Sequence, residues 1–520
     1  MPKTVFTPEI DKHKLSKLGE LGPKLSRLQR GIEKEGLRVK PSGQLSMSSH
    51  PKGLGSALTH AKITTDFSES QLELITGVHS TPEDCLNELD DIQTFVCSQL
   101  EEEILWPSSM PCNVNQSEAI PLAQYGTSNF AQSKTIYRRG LGNRYGRLMQ
   151  TISGIHYNFS LPEDCWQQLG YEGEKGKTQG YFDLIRNFRR WSWLLIYLFG
   201  TSPAIPKALV PKKGHEMEQL DEETFFRPHG TSLRMGPLGY QSSAQGEIRV
   251  SYNSIEEYIR SMKIALTKNY GPYEQIGLNQ NGEYQQLNTA ILQIENEFYG
   301  SIRPKGKTQS GERTLTALET TGVEYVEVRC IDLDPHQRLG IDAVQVRFLD
   351  TFLLMCLLSN SPPATKTESE ILERNQIKVI EKGRLPGMSL QNPDEITLSS
   401  WGNTLLEKCD LIAQILDKAN QTELYTEAVN LQRCKLEDQR LTPSYRLLHE
   451  LKDKNCSMLE LGMQLGLQHK KDHEAKPLTE SSRSNFDRQS LESLSSQQII
   501  EEQEEEPFDD FLKKYTSIQM

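Results

Sequence analysis

No run in this 520-residue chain is apolar for long enough to cross a bilayer as a helix. The longest strongly apolar stretch is WSWLLIYLF, Trp191 to Phe199. A spanning helix needs about 20 such residues, so this one is expected as a buried core element. The opening residues, MPKTVFTPEIDKHK, have no apolar stretch of the secretory type, and neither end carries a lipidation motif. Paired cysteines are also missing. The 9 cysteines are scattered, with no CxxC, which argues against a structural zinc site and for reduced, buried thiols. A cytoplasmic location is expected. Basic residues are in deficit: 58 Lys and Arg against 70 Asp and Glu give a formal net charge of −12. That balance argues against nucleic acid or an anionic membrane as the main partner. No GxxxxGK[ST], GxSxG or HExxH occurs, and Gly140, Gly142 and Gly146 have the wrong spacing for GxGxxG. No repeat of fixed period is present.

What the chain does have is glutamates two residues apart on segments of strand-like pattern. Glu33 and Glu35 lie in GIEKEGLRV; Glu69, Gln71 and Glu73 lie in DFSESQLELITG; Glu327 and Arg329 lie in GVEYVEVRCID. Side chains at i and i+2 of a strand share one face. Three such strands in one sheet make a carboxylate-lined surface, and close anions repel unless cations neutralise them. Hard carboxylate oxygens suit Mg²⁺ or Mn²⁺, and Mg²⁺ commonly accompanies nucleotide phosphates. Metal-assisted phosphoryl chemistry on a sheet is therefore the first expectation.

The remaining pattern frames that sheet. A helix is expected over about 8–30, interrupted at Gly22-Pro23, and a loop or hairpin around Ser42 to Gly55. Thr81 and Pro82 open an amphipathic helix carrying Cys85, Leu89, Ile92 and Val96. TISGIHYNFSLP alternates, with His156 and Asn158 on its polar face. YFDLIRNFRRWSWLLIYLFG, SIEEYIRSMKIALT, RFLDTFLLMCLLSN and WGNTLLEKCDLIAQILDKAN read as helices. Strands and helices mix without regular βαβ alternation, so the class is α+β with an antiparallel sheet. Residues 1–475 read as a single catalytic domain. Residues 476–506, rich in Ser, Gln and Glu, read as a mobile acidic linker, and 507–520 as a short docking segment.

Other segments are compatible with a nucleotide site but are individually weak. YRRGLGNRYGRLMQT offers Arg138, Arg139, Arg144 and Arg147 to phosphates or a carboxylate. TSLRMGPLGYQ and LQIENEFYGSIRPK supply Arg234, Tyr240 and Tyr299. An Arg beside a Glu on a strand, as at Arg329, is ordinarily a structural ion pair; facing a transferred phosphoryl group it would offset developing charge.

Taken in order, GIEKEGLRV, TTDFSESQLELITG, YRRGLGNRYGRLMQTISGIHYNFSLP, NFRRWSWLLIYLFGTSPA, TSLRMGPLGY, IENEFYGSIRPK and ALETTGVEYVEVRCIDLDP resemble the proteobacterial glutamate–cysteine ligase family over about residues 30–335. The resemblance implies ATP-dependent joining of the L-glutamate γ-carboxylate to the L-cysteine amine, the first step of glutathione biosynthesis. It implies a catalytic fold similar to glutamine synthetase, a curved antiparallel sheet forming a funnel surrounded by helices. Carried over by motif, Glu33, Glu35, Asp66, Glu73, His156 and Glu327 resemble metal ligands. Arg329 resembles a γ-phosphate contact, and Arg138 a second nucleotide contact. Tyr137, Arg234, Tyr240 and Tyr299 resemble the amino-acid pocket, with Arg234 holding a substrate carboxylate. A monomer is expected. Segment 236–246 is a candidate lid, and too few residues follow 475 for the added domain of a bifunctional enzyme. The rival readings are another ATP-dependent carboxylate–amine ligase, a metal-dependent hydrolase, and a non-catalytic relative that has lost acidic ligands.

Overall fold

A computed structural model describes residues 6–114, 116–210, 215–238, 243–308 and 311–518. Its centre is a seven-stranded sheet in which every pairing is antiparallel. The strands are β1 (Gln29–Val39), β2 (Ile63–Thr65), β3 (Gln71–Ile75), β4 (Ile104–Leu105), β5 (Ile155–Ser160), β6 (Ile302–Lys305) and β7 (Tyr325–Ile331). Spatial order is β6-β7-β5-β1-β3-β2, with β4 pairing the end of β1. Three smaller two- and three-stranded sheets flank it among the described residues.

Register follows from the alternation. Glu35 pairs with Glu73 and Glu33 with His156; Asn158 pairs with Glu327, which in turn pairs with Arg303. A slip of one residue would send every one of these side chains to the other face. That other face is buried and carries Ile32, Tyr157, Val326 and Val328. Arg30 and Tyr157 reach from it to the fully buried Asp350, at 2.9 and 2.5 Å. Asp350 lies on the helix Ala343–Leu358, whose apolar surround explains why a lone carboxylate there needs two partners.

The helices include α1 (Lys12–Leu21), α2 (Pro82–Gln99), α3 (Asn129–Tyr145), α4 (Gly173–Trp191), α5 (Ala343–Leu358), α6 (Leu398–Asn420), α7 (Leu424–Glu437), α8 (Met458–Ala475), α9 (Glu480–Glu502) and α10 (Phe508–Thr516), among others. The expected helix over 8–30 is α1 plus a 3₁₀ segment, Gly22–Arg27, because Pro23 cannot continue an α-helical ladder. One hydrophobic cluster runs from Phe6 to Leu512.

The C-terminal region departs from expectation. Residues 480–502 form the 23-residue helix α9 rather than a mobile linker. Phe486 is buried and stacks on Phe95 of α2 at 4.9 Å between ring centroids. The N–H of Ser56 donates to Ser493 Oγ at 2.9 Å, and Thr59 Oγ1 donates to the Ser493 carbonyl at 2.6 Å. Gly55 makes this approach possible: it has φ +78°, and a Cβ there would lie 2.8 Å from Ser490 Cα. Small serines pack backbone against backbone, so a segment poor in apolar residues is nevertheless docked.

Candidate active site

One face of the sheet forms the floor of a cavity of about 360 Å³. Glu33 and Glu35 of β1, Glu73 of β3, His156 of β5, and Glu327 and Arg329 of β7 line it. Asp66, between β2 and β3, joins them. Helix α3 supplies Phe130, Lys134, Tyr137 and Arg138; Gln150 and Glu295 come from short 3₁₀ turns, Tyr299 and Arg313 from loops, and Arg303 and Lys305 from β6.

His156 is the hub. Its Nδ1 lies 3.0 Å from Glu33 Oε2 and 3.6 Å from Glu327 Oε1, and its Nε2 lies 3.4 Å from Glu35 Oε1. Glu33, His156 and Glu327 each offer one ligand atom, all within 4.8 Å of one another. His156 Nε2 and Glu327 Oε2 are buried without a hydrogen-bond partner, a costly condition that a cation would relieve. Carboxylate oxygens with one imidazole nitrogen are a donor set that Mg²⁺ or Mn²⁺ accepts, so the residues present fit a divalent ion.

Charge is graded across the floor. Burial pushes the Glu73 carboxyl well above its ordinary range, helped by Glu33, Asp66 and Glu35. Burial likewise raises Glu35, with Asp66 adding to the effect. Burial acts upward on Glu33 too, but its hydrogen bond with His156 leaves it lowered. Glu327 lies at the opposite extreme. Although buried, it is held well below the usual carboxylate range by Lys305, Arg329, Arg303 and His156. Lys305 Nζ, Arg329 Nη1 and Arg303 Nη1 lie 3.4, 3.2 and 3.7 Å from its oxygens. The carboxylates thus crowd toward β1 and β3, faced by Lys134 and Arg138 of α3, while the β6–β7 side carries Arg303, Lys305 and Arg329 close around Glu327. A polyanion such as a triphosphate would meet the cationic side, while a metal ion would meet the carboxylates.

A family profile described as glutamate–cysteine ligase matches residues 15–379. The glutamate–cysteine ligase of Saccharophagus degradans is 45% identical over 503 residues, covering 95% of each chain. That of Azotobacter vinelandii is 43% identical, covering 98% of each. The crystal structure of the Francisella tularensis glutamate–cysteine ligase in complex with AMP superposes with a TM-score of 0.89 at 33% identity, covering 94% of this chain and 97% of that one. The chain belongs to the glutamate–cysteine ligase family.

Against this family background, most of the expected site residues converge. Glu33, Glu35, Asp66, Glu73, His156, Glu327, Arg329, Arg138, Tyr137 and Tyr299 all line the one cavity. Arg138 donates from Nε to the Asp66 carbonyl at 2.7 Å, anchoring the loop that carries Asp66. Gln150 Nε2 donates to the Tyr299 hydroxyl at 2.8 Å. Arg234 does not line the cavity. It is fully buried, with Nη1 3.7 Å from Asp332 and Nη2 donating to the Arg329 carbonyl at 3.0 Å. These contacts tie it to β7, and its charge also acts on Glu35 of the cavity floor. Tyr240 lies outside the described residues, as does part of the candidate lid at 236–246.

Other expectations fail for local reasons. Arg139, Arg144 and Arg147 do not reach the cavity. Arg144 pairs with Glu297 at 2.9 Å, Arg139 with Glu283 at 2.8 Å, and Arg147 donates to the Ile120 carbonyl. Glu69 points the other way and accepts the N–H groups of His50 and Gln124, both at 2.7 Å. Several cavity residues were missed. Arg303 and Lys305 alternate along IRPK, the same i, i+2 signal that exposed the glutamates. Asn158, on the polar face of β5 as expected, does not line the cavity but donates to Glu33 Oε1 at 2.9 Å and orients it. Lys134, one turn before Arg138 on α3, has its ammonium pushed down to about 7 by burial and by Arg138. Phe130, Glu295, Arg313 and Tyr515 carry no local sequence signal for a site.

Proposed function

We propose that this chain joins the γ-carboxylate of L-glutamate to the amine of L-cysteine, converting ATP to ADP and phosphate. A carboxylate is a poor acyl donor toward an amine, so its oxygen attacks the γ-phosphorus and ADP departs, leaving an acyl phosphate. The amine nitrogen then attacks the acyl carbon, the carbon–oxygen bond to phosphate breaks, and the amine gives up a proton. The single observation that carries this reading is the convergence of Glu33, His156 and Glu327 beside Arg329, Arg303 and Lys305. A divalent ion held by Glu33, His156 and Glu327, with Glu35, Asp66 and Glu73 around it, would neutralise phosphate charge during transfer. Arg329, fixed through Glu327, faces the phosphoryl group and offsets its equatorial charge. Lys305 and Arg303 extend that cationic wall. Tyr137 and Tyr299 wall the amino-acid pocket.

The same reading extends to a funnel-shaped sheet of the glutamine synthetase type, with ATP entering from the cationic side. It also makes the protein a monomeric, cytoplasmic enzyme feeding glutathione synthesis. The bifunctional glutathione synthetase of Pasteurella multocida matches with a TM-score of 0.70 at 26% identity, but the match covers only 57% of that chain. The test is ADP release with glutamate, Mg²⁺ and a panel of amines. Cysteine or 2-aminobutyrate should support release coupled to dipeptide. A stronger response to an unrelated amine would reassign the acceptor, and release without any amino acid would indicate a hydrolase.

A further inference from the structure

The C-terminal helix α10 enters the cavity that the function reading assigns to catalysis. Tyr515, in its last turn, lines the same space as Glu33, Glu327 and Arg329. It sits between two walls. On one side, its ring meets Phe130 of α3 edge-on at 6.3 Å. On the other, Arg313 Nη1 donates to the Tyr515 carbonyl at 3.0 Å, and the guanidinium lies 5.8 Å from the ring centroid. Arg313 is itself clamped on Glu295 by contacts of 3.1 to 3.2 Å. Phe511 stacks on Tyr515 at 5.5 Å and holds the ring from behind.

The helix is seated at several points. Leu512 is buried. Tyr284 donates its hydroxyl to Asp509 at 2.5 Å and packs against Phe508 at 5.4 Å. The segment before α10 grips the start of α3. Glu501 accepts from the N–H of Thr127 at 2.7 Å, Glu504 from that of Asn129 at 3.0 Å, and the Glu506 carbonyl from Asn129 Nδ2 at 2.6 Å. Carboxylates at that end of α3 also complement its dipole. The helix bearing Lys134, Tyr137 and Arg138 is thus fastened to the C-terminal segment, and the ring of Tyr515 bridges its Phe130 to Arg313.

We propose that α10 is part of the active site, with Tyr515 a positioning residue whose ring closes the gap between Phe130 and Arg313 and keeps water from the acyl phosphate. Water attack on the acyl carbon would return glutamate and phosphate, consuming ATP with no new peptide bond. An aromatic wall is suited to prevent this, because it fills space and offers the intermediate no nucleophile. This inference rests on the proposed ligation.

The test compares the full-length protein with Tyr515→Ala, Tyr515→Phe and Arg313→Gln, measuring ADP and dipeptide in the same reactions at saturating glutamate, cysteine and Mg-ATP. Melting temperatures are recorded alongside. The unaltered protein and Tyr515→Phe should form ADP and dipeptide in equal amounts. Tyr515→Ala should raise ADP per dipeptide several-fold, and Arg313→Gln should move it in the same direction. Matched ADP and dipeptide in a folded Tyr515→Ala protein would overturn the inference, even if turnover falls, because a purely structural role slows both together. Should Arg313→Gln fail to fold, Tyr515→Ala against Tyr515→Phe still decides. Failure of the ligation reading itself looks different: the unaltered protein would then release no ADP in response to glutamate and cysteine.

Discussion

Glu327 is the residue whose neutralisation should be most costly. Its side chain is only 1% exposed, and its oxygens lie 3.2 to 3.7 Å from Arg329, Lys305 and Arg303. At an effective dielectric near 20, one pair of unit charges at such distances interacts by roughly 4–5 kcal/mol before desolvation is subtracted. Glu327→Gln keeps the shape, removes the anion and leaves three cations facing one another. Breaking a buried ion pair from one side costs about 3–5 kcal/mol, so urea denaturation without metal should show a loss of roughly 3 kcal/mol. Catalysis should suffer separately. Arg329 loses its anchor and the carboxylate cluster loses one ligand, so kcat should fall roughly 100- to 1,000-fold, as when a single preorganised electrostatic group is removed. Binding of Mn²⁺, followed by its electron spin resonance signal, should weaken in parallel. Unchanged denaturation together with turnover within about threefold of the original would refute the reasoning. It would mean that neither the cationic wall nor the acidic cluster depends on this carboxylate.

Arg329→Lys keeps the charge but loses the planar fork, so turnover should fall more than the KM for cysteine rises; the reverse pattern in steady-state kinetics would move Arg329 into the amino-acid pocket. His473 is 1% exposed, and burial together with nearby Arg338 pushes its imidazole down to about 3. Unfolding restores an ordinary value near 6.5, so the unfolded chain takes up a proton as pH falls below that point while the native protein does not. Stability should therefore decline between about pH 6.5 and pH 3, by roughly 2 kcal/mol at pH 5 from this group alone. His473→Gln should flatten that part of the denaturation profile, and an unaltered acid slope would count against the assignment. At Gly140 on α3, a Cβ would lie 2.1 Å from the side-chain oxygen of the buried Gln293. Gly140→Ala should cost about 1–3 kcal/mol in thermal or chemical denaturation by overpacking and should weaken substrate binding by shifting α3; a neutral effect on both would contradict the packing.

How much of the site could be read along the chain depends on distance in sequence. The i, i+2 pairs Glu33 and Glu35 on β1 and Glu327 and Arg329 on β7, with Glu73 on β3, were visible because strand alternation places such residues on one face whatever the surrounding fold. The same rule applied to IRPK would have found Arg303 and Lys305. Arg234 illustrates the limit. The residue is identifiable by motif, yet its guanidinium lies fully buried against Gly154, where a Cβ would sit 2.0 Å from Nη2. Which side of a wall a long side chain occupies is a matter of packing, and no local pattern encodes it.

The amino-acid sequence by itself determined the sheet-forming segments, the face on which their carboxylates lie and the family to which they belong, because these rest on short-range periodicity and on motifs contiguous in the chain. Only the tertiary structure decided the strand order that sets Glu35 against Glu73 and Glu33 against His156, the burial that separates the behaviour of Glu73 from that of Glu327, the docking of α9 on α2 and the arrival of Tyr515 at the cavity. Those outcomes depend on contacts between residues tens to hundreds of positions apart. Their energies arise from desolvation and shape complementarity, which exist only once the chain has closed on itself.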